Sequence, residues 1–166
     1  LDKIKYLTSD NVWELRNLPK RLVVLGGGPI GAELTQTFAR LGSQVTLVEM
    51  MDRIMIREDE DVSKLVRKKF EAEGVRILTG HKAKEVRVNG DLKVLICENN
   101  AGEVEIEFSE ILVAVARVAN TKGFGLEELG VTLRRNGTIE TNGLLQTNYP
   151  KFTAAGMWQV HTSSRT

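Results

Sequence analysis

The chain has 166 residues, with 23 Lys and Arg against 22 Asp and Glu, so its formal net charge is +1. Hydrophobic residues make up 42% and charged ones 27%, the balance of an ordinary soluble globular domain. That balance gives no support to nucleic acid as a partner, no apolar run approaches the ~20 residues of a membrane span, and the single cysteine, Cys97, excludes an internal disulfide, a CxxC redox pair and a cysteine-built zinc site. The first residue is Leu1 and no signal-peptide h-region follows, so a piece of a longer cytoplasmic protein is expected.

In chain order, Ser9-Asp10 before Val12-Trp13-Glu14-Leu15 reads as a capped short helix, stopped at Leu18-Pro19. Arg21–Leu25 (RLVVL) suits a strand buried on both faces of a parallel sheet. Beyond the glycines the period becomes helical, with Ile30, Leu34, Phe38 and Leu41 on one stripe and Gly42 at the end. Gln44–Glu49 is the next strand. A second helix is predicted from Glu58 to Glu73, with Val62, Leu65, Val66 and Phe70 on its apolar face and an acidic first turn. Val75–Leu78 begins a third strand. Three short strands then alternate with turns at Asn89-Gly90 and Asn99–Gly102, an antiparallel meander, and Ile111–Val115 is again a buried strand. Residues 120–150 carry many turn signals and only short apolar pieces. The expected fold is α/β: a Rossmann-type parallel sheet (βαβαβ) with an antiparallel β-meander crossover.

Gly26-x-Gly28-x-x-Gly31 follows a predicted strand and opens a predicted helix, and the next strand ends in an acid, Glu49. That context is what a dinucleotide fingerprint requires. Gly26 permits the tight turn, Gly28 lets a pyrophosphate approach the backbone, and Gly31 lets helix and strand pack closely. Free N–H groups and the positive dipole end of the helix then meet the diphosphate. Glu49, 18 residues after Gly31, is placed to accept hydrogen bonds from the adenosine ribose. A 2′-phosphate there would meet like charge, costing ~1 kcal/mol at about 4 Å in water and ~4 kcal/mol at an effective dielectric of 20. This favours NAD by roughly 5- to 1000-fold. NADP stays open because Arg53 can pair with a phosphate. His81 reads as a surface histidine, Cys97 as a packing residue and Arg67-Lys68-Lys69 as a solvated face. No nucleophile, paired-carboxylate or metal site can be argued.

LGGGPIGAELTQTFARLG at Leu25–Gly42, then QVTLVE and REDEDV, resembles the central NAD(P)H-binding domain of flavin-dependent pyridine nucleotide–disulfide oxidoreductases, which include dihydrolipoamide dehydrogenase, mercuric reductase and glutathione reductase. The resemblance covers nearly all of the chain up to Gly156. It implies that Glu33 sits near the nicotinamide and the flavin edge, with Pro29, Ile30 and Gly31 lining the same region. Where the family reads VAxGRxPN, this chain has Ala116 and Ala119 in place of glycine and proline, and the Ala116 methyl is expected to weaken cofactor binding. The family's Cys-x4-Cys pair and its interface domain with an acid–base histidine do not occur in these residues. The resemblance therefore implies a middle domain that cannot transfer electrons alone. FAD belongs to the parent enzyme, whose flavin domain is the expected partner and which is expected to be a homodimer.

Residues 157–166 depart from the family's Ala-x-Gly-Asp continuation. Met and Trp have one codon each, and restoring one G before the Met157 codon forces Asp-Val-Ala, a family-like sequence. The expected organisation is thus a NAD(H)-binding domain at 1–120, a remnant of the return segment into the flavin domain at 121–156, and a frameshifted or disordered tail at 157–166. Two other readings stand beside this one: a non-catalytic dinucleotide-binding or interaction module, and a methyltransferase, against which the meander argues.

Overall fold

The computed structural model describes residues 4–90, 92–115, 119–149 and 151–154; the tail 157–166 lies outside them. The chain divides into two units, Leu1–Ala116 and Arg117–Thr166.

In the first unit the strands are β1 (Arg21–Leu25), β2 (Gln44–Val48), β3 (Arg76–Leu78), β4 (Lys82–Asn89), β5 (Leu92–Asn99), β6 (Gly102–Phe108) and β7 (Glu110–Val113), with helices α1 (Pro29–Leu41) and α2 (Glu60–Ala72). A parallel sheet runs β3-β2-β1-β7, and β4-β5-β6 form a separate antiparallel sheet. Leu7 adds one parallel bridge to Leu112 at the outer edge of β7. The chain leaves β3, makes the meander and returns beside β1, as the sequence pattern predicts.

Strand alternation assigns the two faces of the parallel sheet. Leu22, Val24, Val45 and Leu47 pack with Leu34 and Phe38 of α1 and Phe70 of α2. Val23, Leu25, Val48 and Ile111 pack with Leu95 and Cys97 of β5 and Ile106 and Phe108 of β6. The sheet is thus buried between helices and meander, which explains its nearly unbroken apolar runs. Ile96 belongs to neither cluster, yet it is fully buried. Its cross-strand neighbours are Glu85 and Glu105. On these strands Lys84 pairs with Glu98 and Glu103, and Arg87 with Glu85 and Glu105.

Three local expectations change. The early helix is a single 3₁₀ turn, Val12–Glu14, with Asn11 rather than Ser9 or Asp10 at its start; the Asn11 carboxamide accepts the Thr8 N–H instead. α2 starts at Glu60, and its buried stripe is Ser63 and Phe70 with half-buried Val66, leaving Val62 42% and Leu65 68% exposed. The Ser63 hydroxyl donates to the Ile54 carbonyl at 2.7 Å, so a polar residue occupies a core position at no cost in unpaired groups. Leu41, the last residue of α1, is 61% exposed, where the chain turns away through left-handed Gly42.

In the second unit, Leu126, Val131, Ile139 and Ala154 form a small apolar cluster. Asparagines close its turns: Asn142 Oδ1 accepts the Leu144 and Gln146 N–H groups, and Asn148 bonds both Thr132 N–H and the Gly130 carbonyl.

α1 and α2 are tied at one carboxylate. Glu73 accepts hydrogen bonds from Arg40 and Gln36 of α1 and pairs with Lys69 of α2. Chiefly through Arg40, and then Gln36, its carboxyl is held down at about 2. A depressed carboxyl stabilises the fold above its unfolded value of 4.5, and that stabilisation is lost as pH falls toward 2. We expect the melting temperature of the unaltered chain to decline over this window. Glu73→Gln should melt lower at neutral pH and decline less on acidification; equal slopes for the two proteins would refute the tie.

Candidate functional site

The glycine loop joins the end of β1 to α1, and each of its glycines is required for a different reason. Gly26 has φ +103°, which favours glycine, and a Cβ on it would lie 2.6 Å from the Ala114 carbonyl oxygen just past β7. Its N–H donates to the Val48 carbonyl at 2.8 Å. A Cβ on Gly31 would lie 1.9 Å from the Gly26 carbonyl oxygen, so helix and strand touch backbone to backbone. Gly28 differs: nothing lies within 4 Å of the position its Cβ would take. The loop opens onto free space there.

Pro29 occupies the first position of α1 and has no N–H to leave unpaired. The first intrahelical bond runs from Ala32 N–H to the Gly28 carbonyl at 2.9 Å, so the Ile30 and Gly31 N–H groups stand at the open, positive end of the helix. Ile30 is half-buried against the helical core, and Pro29 is exposed. Glu33, one turn on, is exposed and lines a shallow groove between α1 and α2 with Ala32, Met55, Leu65 and Phe70.

Glu49 follows β2 directly and is half-buried. Its Oε2 accepts the Gly27 N–H at 2.6 Å and its Oε1 accepts the Met51 N–H at 2.8 Å. A carboxylate has about four acceptor sites, so capacity remains for a ligand hydroxyl. Arg53, which the sequence offers as a phosphate partner, donates instead to the carbonyls of Ile56 and Glu58, both at 3.0 Å. Ala116 lies outside the described residues.

Three residues here escaped the sequence reading. Gly27, the variable position of the motif, is constrained like Gly26 before it: a Cβ on it would lie 2.9 Å from Ile54 Cγ2. Ile54 is only 1% exposed. Met55, with φ +51°, donates its N–H to the Gly27 carbonyl at 2.7 Å. The signal available for Gly27 was that it completes three consecutive glycines; nothing marks Ile54 or Met55.

The other candidates have structural occupations. His81 is half-buried. Asn99 Oδ1 accepts the Ala101 N–H, which directs the Asn99 amide group to His81 Nε2 as donor at 2.9 Å; Nδ1 therefore carries the proton and donates to the Thr79 carbonyl at 2.7 Å. Cys97 is fully buried, and desolvation pushes its thiol up to about 11, so it is neither thiolate nor accessible. Arg67 pairs with Glu71 and Lys69 with Glu73 along the solvent side of α2. Among the described residues no group of His, Cys, Asp and Glu could hold a metal ion, and no helix is long and apolar enough to cross a membrane.

With this geometry in view, comparison with known proteins is specific. Residues 1–159 match the family described as pyridine nucleotide-disulphide oxidoreductase. The chain is 36% identical over 161 residues to a mercuric reductase of Streptomyces lividans, covering 97% of this chain and 34% of the relative. It is 41% identical over 141 residues to a dihydrolipoyl dehydrogenase of Thermus scotoductus, covering 84% and 31%. Among solved structures, LpdA from Mycobacterium tuberculosis superposes with a TM-score of 0.78 at 30% identity, covering 92% of this chain and 32% of that one. A water-forming NADH oxidase from Lactobacillus brevis, solved bound to NADH, superposes with a TM-score of 0.70 at 25% identity, covering 84% and 30%. The chain belongs to the pyridine nucleotide-disulphide oxidoreductase family. It spans about a third of the length of the relatives it matches.

The glycine geometry gives a paired expectation. Gly31→Ala must force helix and strand apart and should lower stability by about 3 kcal/mol or more. Gly28→Ala enters open space and should change it by about 1 kcal/mol at most, through a poorer helix cap. Urea unfolding of both variants checks this; equal losses would show the two positions are not distinguished by packing.

Proposed function

We propose that this chain is the NAD(H)-binding domain of a flavin-dependent oxidoreductase of its family, and that it positions the nicotinamide for hydride transfer to the flavin. The observation that carries the reading is the contrast within the loop. Gly26 and Gly31 are filled by backbone, whereas Gly28 faces open space beside the unpaired end of α1. A cradle that a Cβ would fill is what a diphosphate approaching the backbone needs. The bound NADH, with the parent's FAD, would supply the redox chemistry, and the protein would supply orientation and electrostatics.

In this reading Gly28, Ile30 and Gly31 donate to the diphosphate, and Glu49 accepts from the adenosine ribose with the capacity its backbone bonds leave. NAD is favoured over NADP for two reasons. Glu49 presents like charge to a 2′-phosphate, and Arg53 is committed to carbonyls of its own loop. The NADH bound to the Lactobacillus brevis oxidase supports the same choice. Glu33 and Ile30 would face the nicotinamide and flavin edge, and Ala116 would border the cofactor. The organisation proposed is a nucleotide domain at 1–120 and a return segment toward the flavin domain at 121–156, within a homodimeric cytoplasmic parent.

Isothermal calorimetry with NADH, NADPH and S-adenosylmethionine tests the assignment. NADH should bind, NADPH should bind roughly 5- to 1000-fold more weakly, and S-adenosylmethionine should give no heat. Absence of binding by both nicotinamides would overturn the cradle, and binding of S-adenosylmethionine alone would favour a methyltransferase.

A second expectation concerns catalysis. Cys97 is the only cysteine in the 166 residues and is buried, so no thiol here can pass electrons to a disulfide. In this reading the parent's flavin domain holds the FAD, so these residues supplied with FAD and NADH should show no flavin-dependent NADH oxidation above the rate of the cofactors mixed without protein. Turnover above that rate would show that a reacting group has been missed.

A further inference from the structure

We infer that Arg53 is a positioning residue for the glycine loop, acting through a clamp that grips Gly27 at both its N–H and its carbonyl. On the N–H side the grip is Glu49 Oε2 at 2.6 Å. On the carbonyl side it is the Met55 N–H at 2.7 Å. Neither contact belongs to the regular secondary structure; both come from the segment between β2 and α2. That segment is itself held at several points. Arg53 donates to the Ile56 and Glu58 carbonyls, Ser63 Oγ donates to the Ile54 carbonyl at 2.7 Å, and Ile54 is buried against Gly27. The Gly80 N–H meets the Met51 carbonyl at 2.7 Å, and the His81 N–H meets the Glu49 carbonyl at 3.0 Å.

The clamp has a direct consequence for the loop. The two contacts fix the peptide units on either side of Gly27, and the second of these, being planar, carries the Gly28 N–H. The turn that carries left-handed Met55 is closed by the Glu58 N–H donating to the Met55 carbonyl at 2.9 Å and is braced by Arg53 on the carbonyls of Ile56 and Glu58. Without the guanidinium, two carbonyls lose their donor and the turn can relax, withdrawing the Met55 N–H from Gly27. Arg53 thus acts on the cradle from a distance and has no part in reading a phosphate. The clamp also constrains Glu49. A side chain that cannot accept from two N–H groups cannot replace it without releasing one, so cofactor preference cannot be altered at this position independently of loop geometry.

The inference rests on the dinucleotide reading for its effect on binding, but the clamp itself can be observed without nucleotide. Amide hydrogen exchange, followed by NMR on the full chain, should show slow exchange at Gly27 and Met55. In Arg53→Ala, Met55 should exchange about tenfold faster or more, while Val24 and Leu112 in the sheet stay as they were. Glu49→Gln, nearly isosteric, should release Gly27 or Met51, because its amide can accept only through its single oxygen. Arg53→Ala should then weaken NADH and NADPH by the same factor, about tenfold. Unchanged exchange at Met55 and Gly27 would overturn the clamp. Loss of NADPH affinity alone would make Arg53 a phosphate ligand and overturn the inference. Faster exchange with unchanged nucleotide affinity would overturn its link to the cradle. If the unaltered chain bound neither nucleotide, the dinucleotide reading would fall separately, and the exchange rates would still decide the clamp.

Discussion

The carboxyl end of this sheet is organised by the approach of α1 to β1. The Gly26 carbonyl oxygen lies where any side chain at Gly31 would begin, and the Gly26 Cα faces the backbone just past β7. Three backbones therefore converge at one point: the end of β1, the first turn of α1 and the exit from β7. No side chain separates them at Gly26 and Gly31, so the first turn of α1 lies directly on the end of β1. Gly28 sits immediately outside this contact, where the same economy of atoms leaves space in front of the helix. The tight contact and the open shelf have one cause, which is why adjacent glycines serve opposite purposes.

The rest of the first unit packs around that junction. The β7 strand lies next to β1 because the meander folds over one sheet face and returns the chain in the parallel sense. Leu95 and Cys97 pack against β1 and β2. The helices complete the opposite face, joined through Glu73. The exposed ion pairs of the meander contribute little individually, so the apolar faces matter more. A parallel sheet needs both faces covered, and here one cover is helical and the other is a second sheet.

Residues whose reasons are local were legible in the sequence. Gly26 and Gly42 take left-handed backbone, a Cβ on Gly31 would meet the Gly26 carbonyl, and the apolar run of Arg21–Leu25 suits a buried strand. The meander was legible from its turns. What escaped reading depends on tertiary partners. Ser63 looks like a solvent residue of α2, but Ile54, nine positions earlier, supplies the carbonyl that makes it a core residue. This rotates the helix and leaves Leu65 at the rim of a groove, not in the core. Glu49 was legible as an acid at a strand end; its two backbone donors were not, because one of them is 22 residues away. Arg53 shows the limit most clearly: an arginine near a phosphate site suggests a ligand, and only the carbonyls of Ile56 and Glu58 reveal another occupation.

An inventory of donors then determines where an anion would settle. A helix beginning at Pro29 lacks one of its N–H groups from the start. The Gly27 N–H is taken by Glu49 and the Gly26 N–H by Val48. Gly28, Ile30 and Gly31 remain as the N–H groups at that end of α1. In the proposed complex a diphosphate would be drawn to them, while a ribose would use the acceptor sites that Gly27 and Met51 leave on Glu49. The carboxylate that would repel a 2′-phosphate is also the group that occupies the Gly27 N–H.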